Sequence, residues 1–177
     1  MGEYYLGAGL QAIGTVLSAI SVTPTGFIDK NDQHDLNVLG NTLQATGSAL
    51  QASGQTTLSS LGNKAQAVGN TTVIYGLLIS NSEEQKLILS IKGELIQALG
   101  GGISFVSTGG LGNPSFNRIG NLLQAIGNSL QAIGGKQKLQ SISKRVVGDD
   151  GSFFILIGSW IQAFGAILIA LNYIAQE

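Results

Sequence analysis

The residues able to do chemistry in this 177-residue chain are few. The one His, His34, lies in the run Asp29-Lys30-Asn31-Asp32-Gln33-His34-Asp35. Carboxylates and an imidazole together can hold a divalent cation. Here the alternating acidic pattern and the closing Glu of a calcium loop are absent, so the run reads as a solvated turn supplying helix caps. Glu83, Glu84 and Glu94 are candidate paired carboxylates, but two acids at a helix start are also what the helix dipole favours. Serines are common, yet none stands in a Gly-x-Ser-x-Gly elbow. The runs Gly100-Gly-Gly102 and Gly109-Gly-Leu-Gly112 lack the Lys-Ser/Thr of a phosphate loop. Four basic residues between Lys136 and Arg145 suit phosphate or anionic lipid, and equally a solvated helix end. No Cys is present, which excludes disulfides, thiolate metal sites and a thiol nucleophile. No catalytic constellation, cofactor motif or metal-ligand set emerges, and the expectation is a non-enzymatic protein.

What is abundant is a repeat. The pattern G-x-x-x-Q-A-x-G occurs eight times. Its glutamines are Gln11, Gln44, Gln51, Gln66, Gln97, Gln124, Gln131 and Gln162, each followed by Ala. Its glycines are Gly7, Gly14, Gly40, Gly47, Gly54, Gly62, Gly69, Gly93, Gly100, Gly120, Gly127, Gly134, Gly158 and Gly165, with Gly47 and Gly127 shared between overlapping copies. Leu, Gln and Ala are good helix formers, and glycines seven apart return to one side of an α-helix after two turns. On a helical wheel, Leu123, Ile126, Leu130 and Ile133 form a ridge beside a glycine groove. Gln124 and Gln131 lie on a flank, and Ala125, Asn128, Ser129 and Ala132 form a small, neutral far face.

Glycine inside a helix is worse than Ala by about 1 kcal/mol. Fourteen of them must be offset by tertiary contact, and the expected form is a neighbouring helix laying its ridge into the groove, as in small-residue seams. These glycines and glutamines are therefore the candidate packing and assembly residues.

The repeated units, such as Gly120-Asn-Leu-Leu-Gln-Ala-Ile-Gly127, resemble glycine-rich repetitive proteins of spore-forming bacilli known only as a family of unknown function. The resemblance covers most of the chain. It implies a bacterial origin and supplies no activity or catalytic residue. Thr46, Ser53 and Ala65 depart from the apolar pattern, which makes the helix over 41–70 the more solvent-facing one.

The expected fold is all-α, one domain over 1–177, a bundle or layer of about five helices packed through heptad-spaced Gly and Ala. The first helix spans 4–21 and ends at Thr23-Pro24-Thr25-Gly26, a turn signal. A second runs from Asp32 or Asp35 toward Ile79, with a break near Gly69-Asn70-Thr71-Thr72. A third runs from Ser82 to about Leu99 or Val106, with Gly100-Gly-Gly102 as the run that would end or kink it. A fourth spans 115–147, and a fifth runs from Ser152 to the end. The first and last align and are expected to pair.

Charge is scarce and clustered. Only 11% of residues are charged, and the net charge is −1. Such a balance excludes a basic nucleic-acid stripe. The clusters at 29–35, 83–94, 136–145 and 149–150 mark solvated ends between buried stretches. From Phe153 to Ala175 no charge occurs, long enough to cross a bilayer. Gln162, Ser159 and Asn172 weaken that segment, and Lys/Arg anchors are missing from its flanks. No basic leader opens the chain, and Leu6 stands where a myristoylation signal wants Ser or Thr. Two functions follow. The first is self-association into an oligomer, layer or filament through Gly/Ala/Gln seams, because five helices in one copy cannot hide two uncharged faces each. The second is a membrane-active or integral bundle using 153–175 and 4–21.

Overall fold

The computed structural model describes residues 2–53, 57–109, 115–144 and 150–174. They form six α-helices: α1 (Gly2–Val22), α2 (Lys30–Ala52), α3 (Leu58–Ile79), α4 (Glu83–Ser107), α5 (Phe116–Lys144) and α6 (Ser152–Ile174). Among the described residues there is no strand.

The sixth helix comes from the segment read as one long helix after Asp32. That segment is continuous through Gly69–Thr72 and breaks earlier. Ser53 leaves the helix in extended conformation, and Thr57 caps the next one by accepting from the Ser60 amide. A Ser/Thr N-cap satisfies a donor that the first turn leaves unpaired. The Gly100–Gly102 run does not end α4 either, because Gly100 and Gly101 sit against α3 and α5.

Each helix packs against its neighbours in sequence, and α6 returns against α1. The rings of Tyr4 and Tyr5 meet Tyr173 at 6.0 and 5.8 Å, and Trp160 Nε1 donates to Thr23 Oγ1. The result is a closed ring of six antiparallel helices. Each helix is 21 to 29 residues long, roughly 30 to 45 Å.

Within the ring the helices are joined as three hairpins, α1/α2, α3/α4 and α5/α6. Each hairpin is zipped by the same reciprocal glycine pairs: Gly7 with Gly47 and Gly14 with Gly40, Gly62 with Gly100 and Gly69 with Gly93, Gly120 with Gly165 and Gly127 with Gly158. A Cβ built on Gly127 would lie 2.5 Å from the Gly158 carbonyl oxygen, and one on Gly158 would lie 2.5 Å from that of Gly127. Backbone therefore touches backbone on both sides. In place of the expected Leu/Ile ridge, the groove mainly receives the partner's groove, with an aliphatic side chain beside it at a few points, such as Ile169 against Gly120 and Ile155 against Gly134.

The ridge faces out instead. Ile13, Val68, Leu99, Ile126, Ile133 and Phe164, each one residue before a motif glycine, are all exposed. The largest fully buried side chains are polar, led by Gln44, Gln124, Asn70 and Asn128. The molecule is inverted, with amides and hydroxyls along its axis and aliphatic side chains around its circumference.

Candidate functional site

All eight motif glutamines are buried. They face the axis because the glycines beside them form the helix-to-helix contacts. Thirteen of the fourteen motif glycines lie at such contacts, with Gly134 against Gly151 at the start of α6. Gly151 has φ +78°, a backbone region that glycine enters without strain. Gly54 lies outside the described residues.

The glutamines form two connected tiers. In the upper tier Ser159 Oγ donates to Gln131 Oε1, and Gln131 Nε2 donates to Gln162 Oε1 at 2.9 Å. Gln162 Nε2 then reaches across the ring to Gln44 Oε1 at 2.9 Å and Gln97 Oε1 at 3.2 Å, and Gln44 Nε2 ends the chain on Ser18 Oγ. One amide on α6 thereby ties α2, α4 and α5 together. In the lower tier Gln51 Nε2 donates to Gln11 Oε1, and Gln11 Nε2 donates to Gln66 Oε1. A primary amide suits this role because it offers two donors and an acceptor at once. Gln124 is different. Neither of its amide atoms has a partner among the described residues, although the side chain is 1% exposed.

The sequence reading missed the axial Asn and Ser residues. Asn41, Ser48, Asn63, Asn121, Asn128 and Ser159 are all buried, and each directly follows the first glycine of a motif copy. They lie three residues before a motif Gln, hence on the same helix face. That regularity was available in the repeat.

The two ends of the ring differ. At one end α1, α3 and α5 finish and α2, α4 and α6 begin. The charge clusters, far apart in sequence, converge there: Lys30, Asp32 and Asp35 on α2, Glu83, Glu84 and Lys86 on α4, Lys136, Lys138 and Lys144 on α5, and Asp150 before α6. The Asp150 carboxylate accepts from the Ser152 amide at 3.0 Å, and that hydrogen bonding holds its pKa below the usual value. At the other end the helices carry Glu3 and Arg118 near their tips, and Lys64 lies further in. The basic run expected from Lys136 to Arg145 occupies the last turns of α5; Arg145 is outside the described residues.

A cavity of about 650 Å³ opens at the charged end. Its polar wall includes Ser18, Asn41, Ser90 and Glu94, and it reaches down to Gln44, Gln97 and Gln162. His34 lines it without forming a metal cluster; none of three or more His, Asp or Glu exists among the described residues. Glu94 belongs to this wall and not to a carboxylate pair with Glu83 and Glu84.

Two helices, α1 and α6, are long and apolar enough to cross a membrane. On α3, α4 and α5 many polar residues turn to the axis, which lowers hydropathy while the outer faces keep large apolar side chains; α2 differs, exposing Asp35, Thr42 and Thr46 beside Leu39. Leu61 and Leu78 on α3, Leu95 and Leu99 on α4, and Ile119 and Leu122 on α5 are exposed.

A family model matches residues 3–170, nearly the whole chain. The chain belongs to a family of unknown function, DUF6944. No curated protein and no solved structure matches it. Family membership therefore brings no activity to this chain, and the function has to be argued from the inverted ring itself.

Proposed function

We propose that this chain is a non-enzymatic, membrane-embedded helical ring whose charged, open end stays in water and whose apolar circumference meets lipid. The observation that carries the reading is the inverted polarity. Soluble monomers rarely expose contiguous apolar patches beyond a few hundred Å². Here exposed Leu, Ile, Val, Phe, Tyr and Trp occur on the helices all round the ring, while the axis holds Gln, Asn and Ser. In lipid that arrangement is favourable: tails solvate the outer side chains, and polar groups find each other inside. Close glycine seams also suit a setting where helices associate by packing, because lipid removes the hydrophobic drive between them. The helix lengths match a hydrocarbon core of about 30 Å.

A second reading has its own support. Lys64 and Lys92 are exposed on the outer surface, away from the helix tips. Long Lys stems can carry such charges toward water, but side-by-side copies would also accommodate them. In that reading the rings self-associate into an oligomer, layer or filament through their apolar exteriors. The Gly and Gln seams are already consumed within one chain, so they are not the surfaces that copies share. The bacterial, spore-former setting rests on the repeat units alone.

Fractionation without detergent, followed by flotation with phosphatidylethanolamine/phosphatidylglycerol vesicles, separates these readings. Membrane residence predicts that the protein floats with the vesicles and stays with them through alkaline carbonate. Recovery as large soluble assemblies supports self-association and defeats the lipid reading. Recovery as a soluble monomer that ignores vesicles defeats both.

A further inference from the structure

The register position that follows the first glycine of each repeat faces the axis. Its occupants are Ala8, Asn41, Ser48, Asn63, Asn121, Asn128 and Ser159, all buried and neutral, and in the eighth copy Glu94. A carboxylate thus stands where every other copy keeps a side chain without charge. It lines the cavity, well below the rim where the other acids gather. Among the described residues none hydrogen-bonds or ion-pairs with it. Of the lysines that line the cavity, Lys86 pairs with Glu83 at 3.5 Å and Lys138 acts on Asp150, while Lys30 lies at the exposed start of α2. A charge set this deep in a protein is costly without a partner. The cavity is the route by which one can come.

We propose that the cavity is a binding site for a small primary ammonium compound with a polar body, its cationic head seated on Glu94. An ammonium group has three donors and no acceptor. On α4, Ser90, Glu94 and Gln97 lie at i, i+4 and i+7, on one face, and all three line the cavity. They present a hydroxyl, a carboxylate and the second lone pair of the Gln97 amide oxygen, whose first receives Gln162 Nε2, an acceptor for each donor. The volume of about 650 Å³ lies within the range of organic-ligand pockets, roughly 300–1,000 Å³, and is far larger than a bare ion needs. The lining mixes Ser, Asn and Gln with aliphatic side chains such as Val73, Leu77 and Ile155, so the body of the ligand carries hydrogen-bonding groups on a short carbon frame. No Phe, Tyr or Trp lines the cavity, and the faces of those rings are what quaternary ammonium recognition uses. The head is therefore a primary ammonium and not a quaternary one.

The site does not rest on membrane residence. A chain that binds amines yet ignores vesicles would sink the lipid reading and leave this one standing. The test is isothermal titration of the full chain in detergent with 3-amino-1-propanol, tetramethylammonium chloride serving as the N–H-free comparison. Saturable binding of the amino alcohol is expected, at least tenfold weaker for tetramethylammonium and at least tenfold weaker in Glu94→Gln. Lys92→Gln, on the outer face of the same helix, is expected to bind like the parent. Glu94→Asp keeps the charge and is expected to fall between parent and Glu94→Gln, which keeps the question decidable if Glu94→Gln loses its helical signal. The absence of saturable binding by the parent overturns the proposal. So does equal binding by the two cations, or a Glu94→Gln or Glu94→Asp protein whose affinity contradicts that order.

Discussion

Adding one methyl group to Gly127 tests the packing argument directly. A new Cβ there would lie 2.5 Å from the Gly158 carbonyl oxygen, 2.7 Å from the Gln162 nitrogen and 2.9 Å from the Gln162 Cβ. Two of the three are backbone atoms, so no rotamer change can clear them. Restoring ordinary contact requires α6 to retreat by about 1 Å. Overpacking of this kind costs about 1–3 kcal/mol, against a helix-propensity gain of about 1 kcal/mol for Gly→Ala. The net expectation for Gly127→Ala is a loss of about 1–2 kcal/mol, or roughly 2–8 °C in melting temperature for a chain of this size. Gly102 on α4 is the control, because a Cβ there meets nothing within 4 Å. Gly102→Ala should gain up to about 1 kcal/mol from propensity alone. Far-UV circular dichroism melts of both variants in the same detergent measure the difference. If Gly127→Ala melts at or above the parent, as Gly102→Ala should, the reciprocal glycine seam does not hold the hairpins together.

Gln162→Leu strands Gln44 Oε1, Gln97 Oε1 and the donor of Gln131, so it should cost about 2–5 kcal/mol in the same melts. Gln124→Leu, which removes an amide without partners, should be neutral or stabilising. Ile126→Lys places a charge midway along α5 on the exposed face and should lower the floated fraction in vesicle assays, at about 3 kcal/mol for a lysine at bilayer depth; Lys92→Leu should raise it. The Asp150 pKa is lowered by the Ser152 hydrogen bonds, so its contribution is present above the unfolded-state pKa and fades as pH falls through the folded value. Asp150→Asn should therefore lower stability slightly at neutral pH, leave it unchanged below the folded-state pKa, and so flatten the acid side of the profile.

The helical period, the small-residue seam and the clustering of charge at turns were legible in the repeat. The direction in which each face points was not. A stripe of Gln, Asn and Ser normally reads as the wet face of an amphipathic helix, and a stripe of Leu and Ile as the dry one. That rule assumes water outside and a greasy interior. Here Ile126 and Gln124 exchange their usual places, and nothing in one helix taken alone says so. Pairing was hidden for another reason: Gly7 could meet any other motif glycine, and only the short connections make Gly47 its partner. The α2–α3 break was in principle readable from Thr57 with Ser60 three residues on, and from the repeat itself, where Gly40, Gly47 and Gly54 are seven apart but the next motif glycine, Gly62, is eight on. Glu94 is visible in the sequence as an acid, and only its register after Gly93, where the other copies carry Ala, Asn or Ser, sets it apart from Glu83 and Glu84.

The glycine seams and the inverted interior have a single physical cause. When two helices approach until their backbones touch, no volume remains between them for a Leu or Ile side chain. The apolar residues of each turn must then go outward or toward the axis. Six helices in a ring leave an axis narrow enough for side chains from α2, α4, α5 and α6 to meet, as the Gln162 bonds across it demonstrate. An aliphatic axis would give each hairpin a greasy inner face able to slide against the next. Amides fix direction and register, since Gln162 has two hydrogens to give and two particular oxygens to receive them. The aliphatic ridge is left to the circumference by elimination. Under the function proposed above, that circumference is what lipid, or another copy of the chain, covers.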